Sequence, residues 1–327
     1  MKLVTPAAAV LLAACATGCG SAGHTQAQPT RKHPRAPSGR TVPAGVSQRS
    51  PDSKAHARVS ASYVEPVATI QLAPPLAQYT LYVDRLAERL PGEVSAIESA
   101  AESGDLTAAE ATWLPAHITY LEIGQDDAAY GSFGDLGEQI DGLADGLPDT
   151  VANSDFSGFH KVELDLWRDH DTTAAASDAK RLLELVDELT PATIASDLPV
   201  QTVAVDGWVL RCHEILEDAL RDSLSQDDDY GSNTDLASIS ADVRATREML
   251  KVLAPLIEPR MPKILPTGSV DLQDIDRAIT AAGGSDTHRN LSSLPVRQRQ
   301  ALNEAVDVAT ETLAPVSEIL QVSTPGS

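Results

Sequence analysis

The chain has 327 residues, of which 42% are apolar but only 4% aromatic, so its core must be built mainly from Ala, Leu, Val and Ile. That composition favours close-packed helices over a β-sandwich, which uses more aromatic and β-branched residues. Residues 61–327 carry 17 basic and 46 acidic side chains. Because so acidic a body repels phosphate backbones and attracts cations, the composition argues against a nucleic-acid partner.

Residues 1–19 have the pattern of a bacterial lipoprotein leader. Lys2 supplies a positive charge, and the apolar run Leu3–Ala14 is too short to span a bilayer. The run leads into the letters LAAC, which resemble a lipobox, so Cys15 is the predicted lipidation site and Cys19 the alternative. An ordinary secretory signal with two incidental cysteines is the other interpretation. The lipobox predicts an exported protein of the cell envelope, anchored by membrane lipid to the outer face of the cytoplasmic membrane.

The rest of the chain divides into a tether and a helical domain. Residues 20–62 are basic, rich in Pro and Ser, and without an apolar period, which is typical of a disordered tether. Residues 63–327 follow a helical period and form the predicted domain. Cys212 is the one cysteine beyond the leader, so this domain holds no internal disulfide.

Apolar residues recur at helical spacing in six segments. We expect Pro91 to end the first helix, Pro191 the third and Pro255 the fifth. Helices with short connections predict an all-α, antiparallel helical bundle. The six apolar stripes run over Tyr79–Leu90, Leu106–Ile123, Leu182–Leu189, Val203–Leu224, Ile239–Leu253 and Leu302–Val316.

The strongest chemical signal is the stretch DFSGFHKVELDLW, Asp155–Trp167. His160 and Glu163 are three residues apart, so on a helix they share a face and can bind one cation. Asp155 or Ser157 is expected to cap this helix. A solvated helix face without metal is the alternative interpretation, because an isolated His-x-x-Glu pair is common by chance.

This stretch resembles the signature of the imelysin-like, M75-type domain of EfeO-family iron-uptake lipoproteins, in which Gly-Phe-His-x-x-Glu is followed by Leu-Trp. The resemblance extends to YGSFGDLGEQID, Tyr130–Asp141, and to DDDYGSNTDL, Asp227–Leu236, and it covers about Ala77–Leu320. It implies two four-helix bundles with a metal cleft between them. It also implies a protein that binds iron and delivers it to a membrane iron permease.

The resemblance further implies a set of metal ligands. His160 and Glu163 match the signature pair directly, and Asp141 falls on the acid of the family's Ile-Asp. Asp127 stands where the family often has the second Glu of a Glu-x-x-Glu pair. The first Glu of that pair falls on Gly124, which is a departure from the family.

Four other carboxylates are alternative ligands. Glu122 or Asp126 could replace the Glu that is missing upstream. Asp227 or Asp228 could supply the acid of the downstream segment, where Asn233 replaces the family's His.

The implied ligands also indicate which metal and which partners to expect. One imidazole with three or four carboxylates suits Fe²⁺ or Fe³⁺, with Zn²⁺ or Mn²⁺ as alternatives. Many relatives carry a cupredoxin domain, but residues 20–76 are too short and polar for one, so we expect no copper domain. The resemblance implies a membrane iron permease as partner, and a haem-containing peroxidase of the same uptake system as a second candidate.

A metallopeptidase is the main alternative function, because the family name refers to a proposed peptidase activity. The chain has no His-Glu-x-x-His motif, and Glu163 would be used in coordination instead of catalysis. An envelope or polysaccharide-binding module on the same fold is a third possibility.

Other conspicuous residues have structural interpretations. His117 is interpreted as a half-buried structural histidine near the cleft. We expect His213, Glu217 and Arg221 to form a run of surface ion pairs, with a second metal site at His213 and Glu217 as the alternative. Cys212 is expected to lie in the core without nucleophilic character.

Overall fold

The structure, a computed structural model, describes residues 66–124, 135–189 and 204–321, all within one structural unit of residues 60–327. The predicted leader and tether, with Cys15 and Cys19, lie outside the described residues. Apart from one bridge residue, Val67, the described ranges contain no β-strand, and the predicted all-α fold is confirmed. The helices are α1 Thr69–Glu102, α2 Leu106–Glu122, α3 Asp135–Asp141, α4 Phe159–Glu163, α5 Thr172–Glu188, α6 Ala204–Asp218, α7 Asp235–Ile257, α8 Ile264–Ala282, α9 Val296–Leu313 and α10 Pro315–Ile319.

Short irregular helices occur between or after these elements. A π-helical turn, Leu164–Arg168, continues α4, and another, Ala219–Ser223, continues α6. Two 3₁₀ turns cover Thr150–Ala152 and Leu291–Ser293.

The predicted end of the first helix at Pro91 was wrong. Helix α1 runs through Pro91 and ends at Glu102. A proline inside a helix costs about 3 kcal/mol, but the turns beyond it bury Val94 and Ile97 completely. Each such burial is worth about 1.5–3 kcal/mol, enough to offset the proline. Pro255 likewise lies inside α7, which continues to Ile257, instead of ending the helix.

Helix α8 has no counterpart among the six predicted apolar stripes, and it contains Pro266 and Gly268. Pro266 lies in the first turn of α8, where a backbone N–H has no helical partner in any case. Gly268 lies where α9 packs closely, since a Cβ there would be 2.8 Å from Cδ2 of Leu313. Both residues are therefore compatible with the helix that contains them.

The helices pack in two sets that share α7. Helix α1 lies along α2 and α5, and α8 lies along α9, while α6 contacts α7 and α9. Helix α7 also contacts α1, α2 and α8. The expected division into two four-helix bundles with a cleft between them stays a prediction.

Two further properties of the helices bear on function. Within the described ranges, every helix is too short or too polar to span a bilayer. Cys212 is fully buried in α6, and burial raises the pKa of its thiol to about 12. The thiol is therefore protonated at neutral pH, as expected for a core cysteine.

Candidate metal centre

Three side chains from three helices meet at one carboxylate oxygen. Asp141, the last residue of α3, places Oδ1 2.9 Å from Nε2 of His117 in α2 and 3.6 Å from Nε2 of His160 in α4. One ligand atom from each of the three residues lies within 4.8 Å of the other two. Because metal bonds to these atom types are about 2.0–2.2 Å long, two ligand atoms of one cation lie up to about 4.4 Å apart. The three atoms are therefore close to the separations that a single cation requires. Both imidazoles are buried, and the Asp141 side chain keeps 11% of its surface exposed.

Glu163 contacts the opposite nitrogen of His160. Its Oε2 lies 3.1 Å from Nδ1 of His160, and its Oε1 accepts hydrogen bonds of 3.0 Å from the backbone N–H groups of Tyr230 and Ser232. Both oxygens of this buried carboxylate therefore have protein partners. A carboxylate on the second nitrogen of a histidine orients the ring and makes it a better ligand.

Asp141 and Glu163 also set the charge of His160. Burial alone would lower the pKa of His160, but the two carboxylates raise it to about 9. Burial alone would raise the pKa of Glu163, but the bond to His160 and the donors of Ser232 hold it below its usual value. At neutral pH the pair is an imidazolium and a carboxylate, so a cation must displace the proton on Nε2 of His160 in order to bind.

The start of α4 is tied to the end of α3, and this places His160 beside Asp141. Ser157 donates from Oγ to the backbone oxygen of Gln139 at 2.9 Å, so it does not cap α4. The N-cap is Gly158 without a side-chain hydrogen bond, and the predicted cap at Asp155 or Ser157 was wrong. Gly158 has φ +84°, and a Cβ there would lie 2.1 Å from the backbone oxygen of Ile140.

We expect Gly158→Ala to destabilise the fold by about 3 kcal/mol or more, because it combines positive φ with a clash against backbone. Gly146 is a matched control, since its φ is +87° and no atom lies within 4 Å of its added Cβ. Gly146→Ala should cost only the backbone term, about 1–2 kcal/mol. Urea unfolding of both variants measures the difference. Equal losses would show that the close approach to Ile140 is unimportant.

The loop between α6 and α7 closes the other side of the cluster. Asp229 holds it in shape, because its Oδ1 accepts the backbone N–H groups of Gly231 and Asn233 at 2.9 and 3.0 Å. The Tyr230 hydroxyl accepts the backbone N–H of Ala144 at 2.7 Å, which joins the loop to the segment after α3. This conformation directs two amide donors of the loop at Glu163.

A small cavity adjoins the cluster, and its lining includes His117, Glu163, Asp228 and Asp235. Burial raises the pKa of Asp228 to about 6 and that of Asp235 to about 8. Among the described residues, neither carboxylate forms an ion pair with Lys or Arg. These two carboxylates therefore have no Lys or Arg as counter-charge in the described part of the chain, and the His160 imidazolium is the cation that faces Asp228.

One known protein family matches most of this chain. The model of the imelysin family, peptidase family M75, matches residues 75–316. The chain belongs to the imelysin family. The match contains His117, Asp141, His160 and Glu163, and the resemblance predicted from the motifs is thereby confirmed.

Curated relatives of this imelysin chain carry the name "iron uptake system component EfeO". The chain is 25% identical to that of Yersinia pestis over 276 residues, or 83% of this chain and 70% of the relative. It is 25% identical to that of Yersinia pseudotuberculosis serotype I over 253 residues, or 76% and 64%. It is 24% identical to that of Escherichia coli O1:K1 over 253 residues, or 77% and 65%.

Four other carboxylates predicted as ligands in this imelysin chain are not part of the cluster: two lie outside the described residues, one pairs with an arginine and one is exposed. Asp126 and Asp127 belong to residues 125–134, which lie outside the described residues. Glu122 forms an ion pair with Arg244, with Oε1 2.6 Å from Nε. Asp227 is exposed on the α6–α7 loop.

Two departures from the family signature have structural explanations. Gly124 ends α2 at φ +89°, and a Cβ there would lie 2.4 Å from the hydroxyl oxygen of Tyr79. Asn233 adopts φ +56° and donates from Nδ2 to the backbone oxygen of Gly231, so it serves the turn. Both positions favour residues that tolerate left-handed backbone.

His117 is the member of the cluster that sequence reasoning left outside the predicted ligand set. The sequence feature that could have indicated His117 was its spacing, one helical turn after Trp113. The two rings pack at a tilt of 40° with centroids 4.6 Å apart, and Trp113 Nε1 donates to the backbone oxygen of Phe159 in α4 at 3.0 Å. Trp113 thus joins α2 to α4 at the cluster.

The predicted ion pairs on α6 are only partly as expected. His213 is buried instead of lying at the surface, and its Nε2 is 3.9 Å from Oε1 of Glu217. Arg221 pairs with Asp218 and Asp222, not with Glu217. Arg221 lies in the π-helical turn Ala219–Ser223, whose wider winding departs from the α-helical i, i+4 spacing on which the prediction rested.

Proposed function

We propose that this chain is an exported, lipid-anchored protein that binds an iron cation through His117, Asp141 and His160 and passes it to a membrane iron permease. The observation that carries the proposal is the meeting of both Nε2 atoms at Oδ1 of Asp141. The names of the relatives support iron as the cargo, since each is called an iron uptake system component. Glu163 takes the role of orienting His160 in this arrangement.

The donor set favours divalent iron. The proposed ligands are two imidazoles and one carboxylate. Non-haem Fe(II) proteins use this same set, in which further coordination positions of the metal stay open. His117 adds an imidazole to the single one that the family signature implies, and this shifts the preference from hard Fe³⁺ toward Fe²⁺ and Zn²⁺. In the usual order of divalent affinities, Mn²⁺ should bind more weakly than both.

Binding fits the site better than peptide hydrolysis does. A zinc peptidase needs a carboxylate that is free to take a proton from water. Both oxygens of Glu163 are already engaged with His160 and with the amides of Tyr230 and Ser232. Glu163, the acid of the motif, is therefore not free to act as the general base of a peptidase.

Calorimetric titration of the protein with Fe²⁺ under anaerobic conditions, Fe³⁺ citrate, Zn²⁺ and Mn²⁺ tests the proposal. We expect one cation per chain, with Fe²⁺ and Zn²⁺ bound more tightly than Mn²⁺. Absence of binding for all four ions at micromolar concentrations would refute it.

The proposed location rests on the leader, residues 1–19, which would carry the lipid anchor. The tether, residues 20–62, would hold the domain of residues 63–327 away from the membrane.

Cys15→Ala should release the protein into the soluble envelope fraction or the medium, because the acyl anchor would be lost. Cell fractionation with immunodetection measures this, and Cys19→Ala is the matched control. Release by Cys19→Ala alone would identify the other cysteine, and release by neither would contradict the anchor.

A further inference from the structure

His117 has one ring nitrogen in the candidate site and one without a partner. Its Nε2 faces Asp141 at 2.9 Å, while Nδ1 is buried and has no hydrogen-bond partner among the described residues. When Nε2 binds a cation, Nδ1 carries the proton of the ring and needs an acceptor. A buried donor left unsatisfied costs about 1–3 kcal/mol.

Asp228 offers the complementary atom in the same cavity. Its Oδ2 accepts from Oγ of Ser223 at 2.8 Å, while Oδ1 is buried and without a partner. Among the described residues that line the cavity, His117 Nδ1 and Asp228 Oδ1 are the two buried side-chain atoms that lack a hydrogen bond. The other acids differ, because Asp229 accepts two backbone amides and Asp235 accepts from Gln226.

The cavity has the size of one water molecule. The space that the centre of a water molecule can occupy is about 10 Å³. A buried water is held by two to four polar partners, and a polar cavity of this size is where one is found. One unsatisfied donor and one unsatisfied acceptor on the wall of such a cavity are the partners that a bridging water requires.

We propose that Asp228 is a positioning residue, which accepts the hydrogen bond of His117 Nδ1–H through one water molecule in this cavity. The bridge keeps the proton on Nδ1 and leaves the lone pair of Nε2 for the cation beside Asp141. Asp228 thus orients the ring of His117 through water, as Glu163 orients the ring of His160 by direct contact. This inference rests on the proposed function, because it assigns a role within the same site, and it makes Asp228 an indirect contributor instead of a ligand.

A double-mutant cycle with Zn²⁺ as the probe tests the bridge. Zn²⁺ is titrated into the full chain as wild type, Asp228→Ala, His117→Ala and the double variant. Loss of an outer partner of a metal-binding histidine lowers affinity about 10–100-fold, so we expect Asp228→Ala to weaken binding at least tenfold. In the His117→Ala background the same change should cost less than twofold, since the residue through which Asp228 acts is gone.

Two further variants separate the bridge from effects of charge or folding. Asp228→Asn keeps an acceptor oxygen but no charge, and it should recover most of the affinity that Asp228→Ala loses. Asp227→Ala removes an exposed acid from the same loop and should leave Zn²⁺ affinity within twofold of wild type.

Each failure has its own meaning. A tenfold loss from Asp228→Ala in both backgrounds would overturn the bridge, because Asp228 would then act as a ligand, by charge or through the fold. An Asp228→Ala variant that binds like Asp227→Ala would overturn it as well. Absence of Zn²⁺ binding by wild type would refute the proposed function itself, and with it the inference.

Discussion

His160→Ala and His117→Ala should each weaken binding of Fe²⁺ or Zn²⁺ by at least tenfold, or about 1.4 kcal/mol. Each removes one of the three atoms that meet at the cluster, and the remaining two cannot replace a buried imidazole. His213→Ala is the matched control, because it removes a buried histidine that pairs with Glu217 instead. Calorimetric titration of the three variants beside wild type gives the affinities.

Glu163→Gln belongs to the same experiment. The amide keeps the shape of the side chain but removes the negative charge that faces Nδ1 of His160, so we expect a loss of about tenfold or more. Glu217→Gln on α6 is the control for charge, since that side chain is 54% exposed. Equal affinities in wild type and all of these variants would contradict the site and leave only the fold.

The metal-free protein should lose stability as pH rises from about 6.5 to 9. The pKa of His160 is raised to about 9 in the folded chain, and that of Asp235 to about 8. A group whose pKa is raised by folding stabilises the fold below its unfolded pKa, and this stabilisation is lost as pH rises through the folded value. Since both shifts have the same sign, their contributions add, and the free energy of unfolding should fall by on the order of 5 kcal/mol over this range.

A bound cation should remove the part of that trend that comes from His160. It displaces the proton from Nε2 of His160, so affinity should increase about tenfold per pH unit below pH 9 for each proton released. Urea unfolding at pH 6.5, 7.5 and 9, with and without saturating Zn²⁺, measures both effects. A metal-free midpoint that stays constant over this range would show that these groups do not carry raised pKa values.

Part of the site could be predicted because it is local. His160 and Glu163 lie one helical turn apart, and their contact at 3.1 Å follows from that spacing. The sequence did not predict the partners of the other oxygen, Oε1 of Glu163. They are the backbone amides of Tyr230 and Ser232, which are 67 and 69 residues away along the chain. A pattern within one helix therefore predicted the pair but not that Glu163 would act on Nδ1, away from Asp141.

The aromatic-poor composition and the apolar period of 3.6 by themselves determined that this protein is helical, since helix formation depends on residues within a few turns of each other. Tertiary packing decided where the helices end. At Pro91, the burial of Val94 and Ile97 outweighs the cost of a proline inside α1, and the helix continues. It also decided the composition of the cluster. His117 and Asp141 are 24 residues apart on different helices, and no local repeat relates them. Only the packing of α2 against α4 and of α4 against the end of α3 directs their side-chain atoms to one point, because that position depends on contacts between helices instead of on spacing within one.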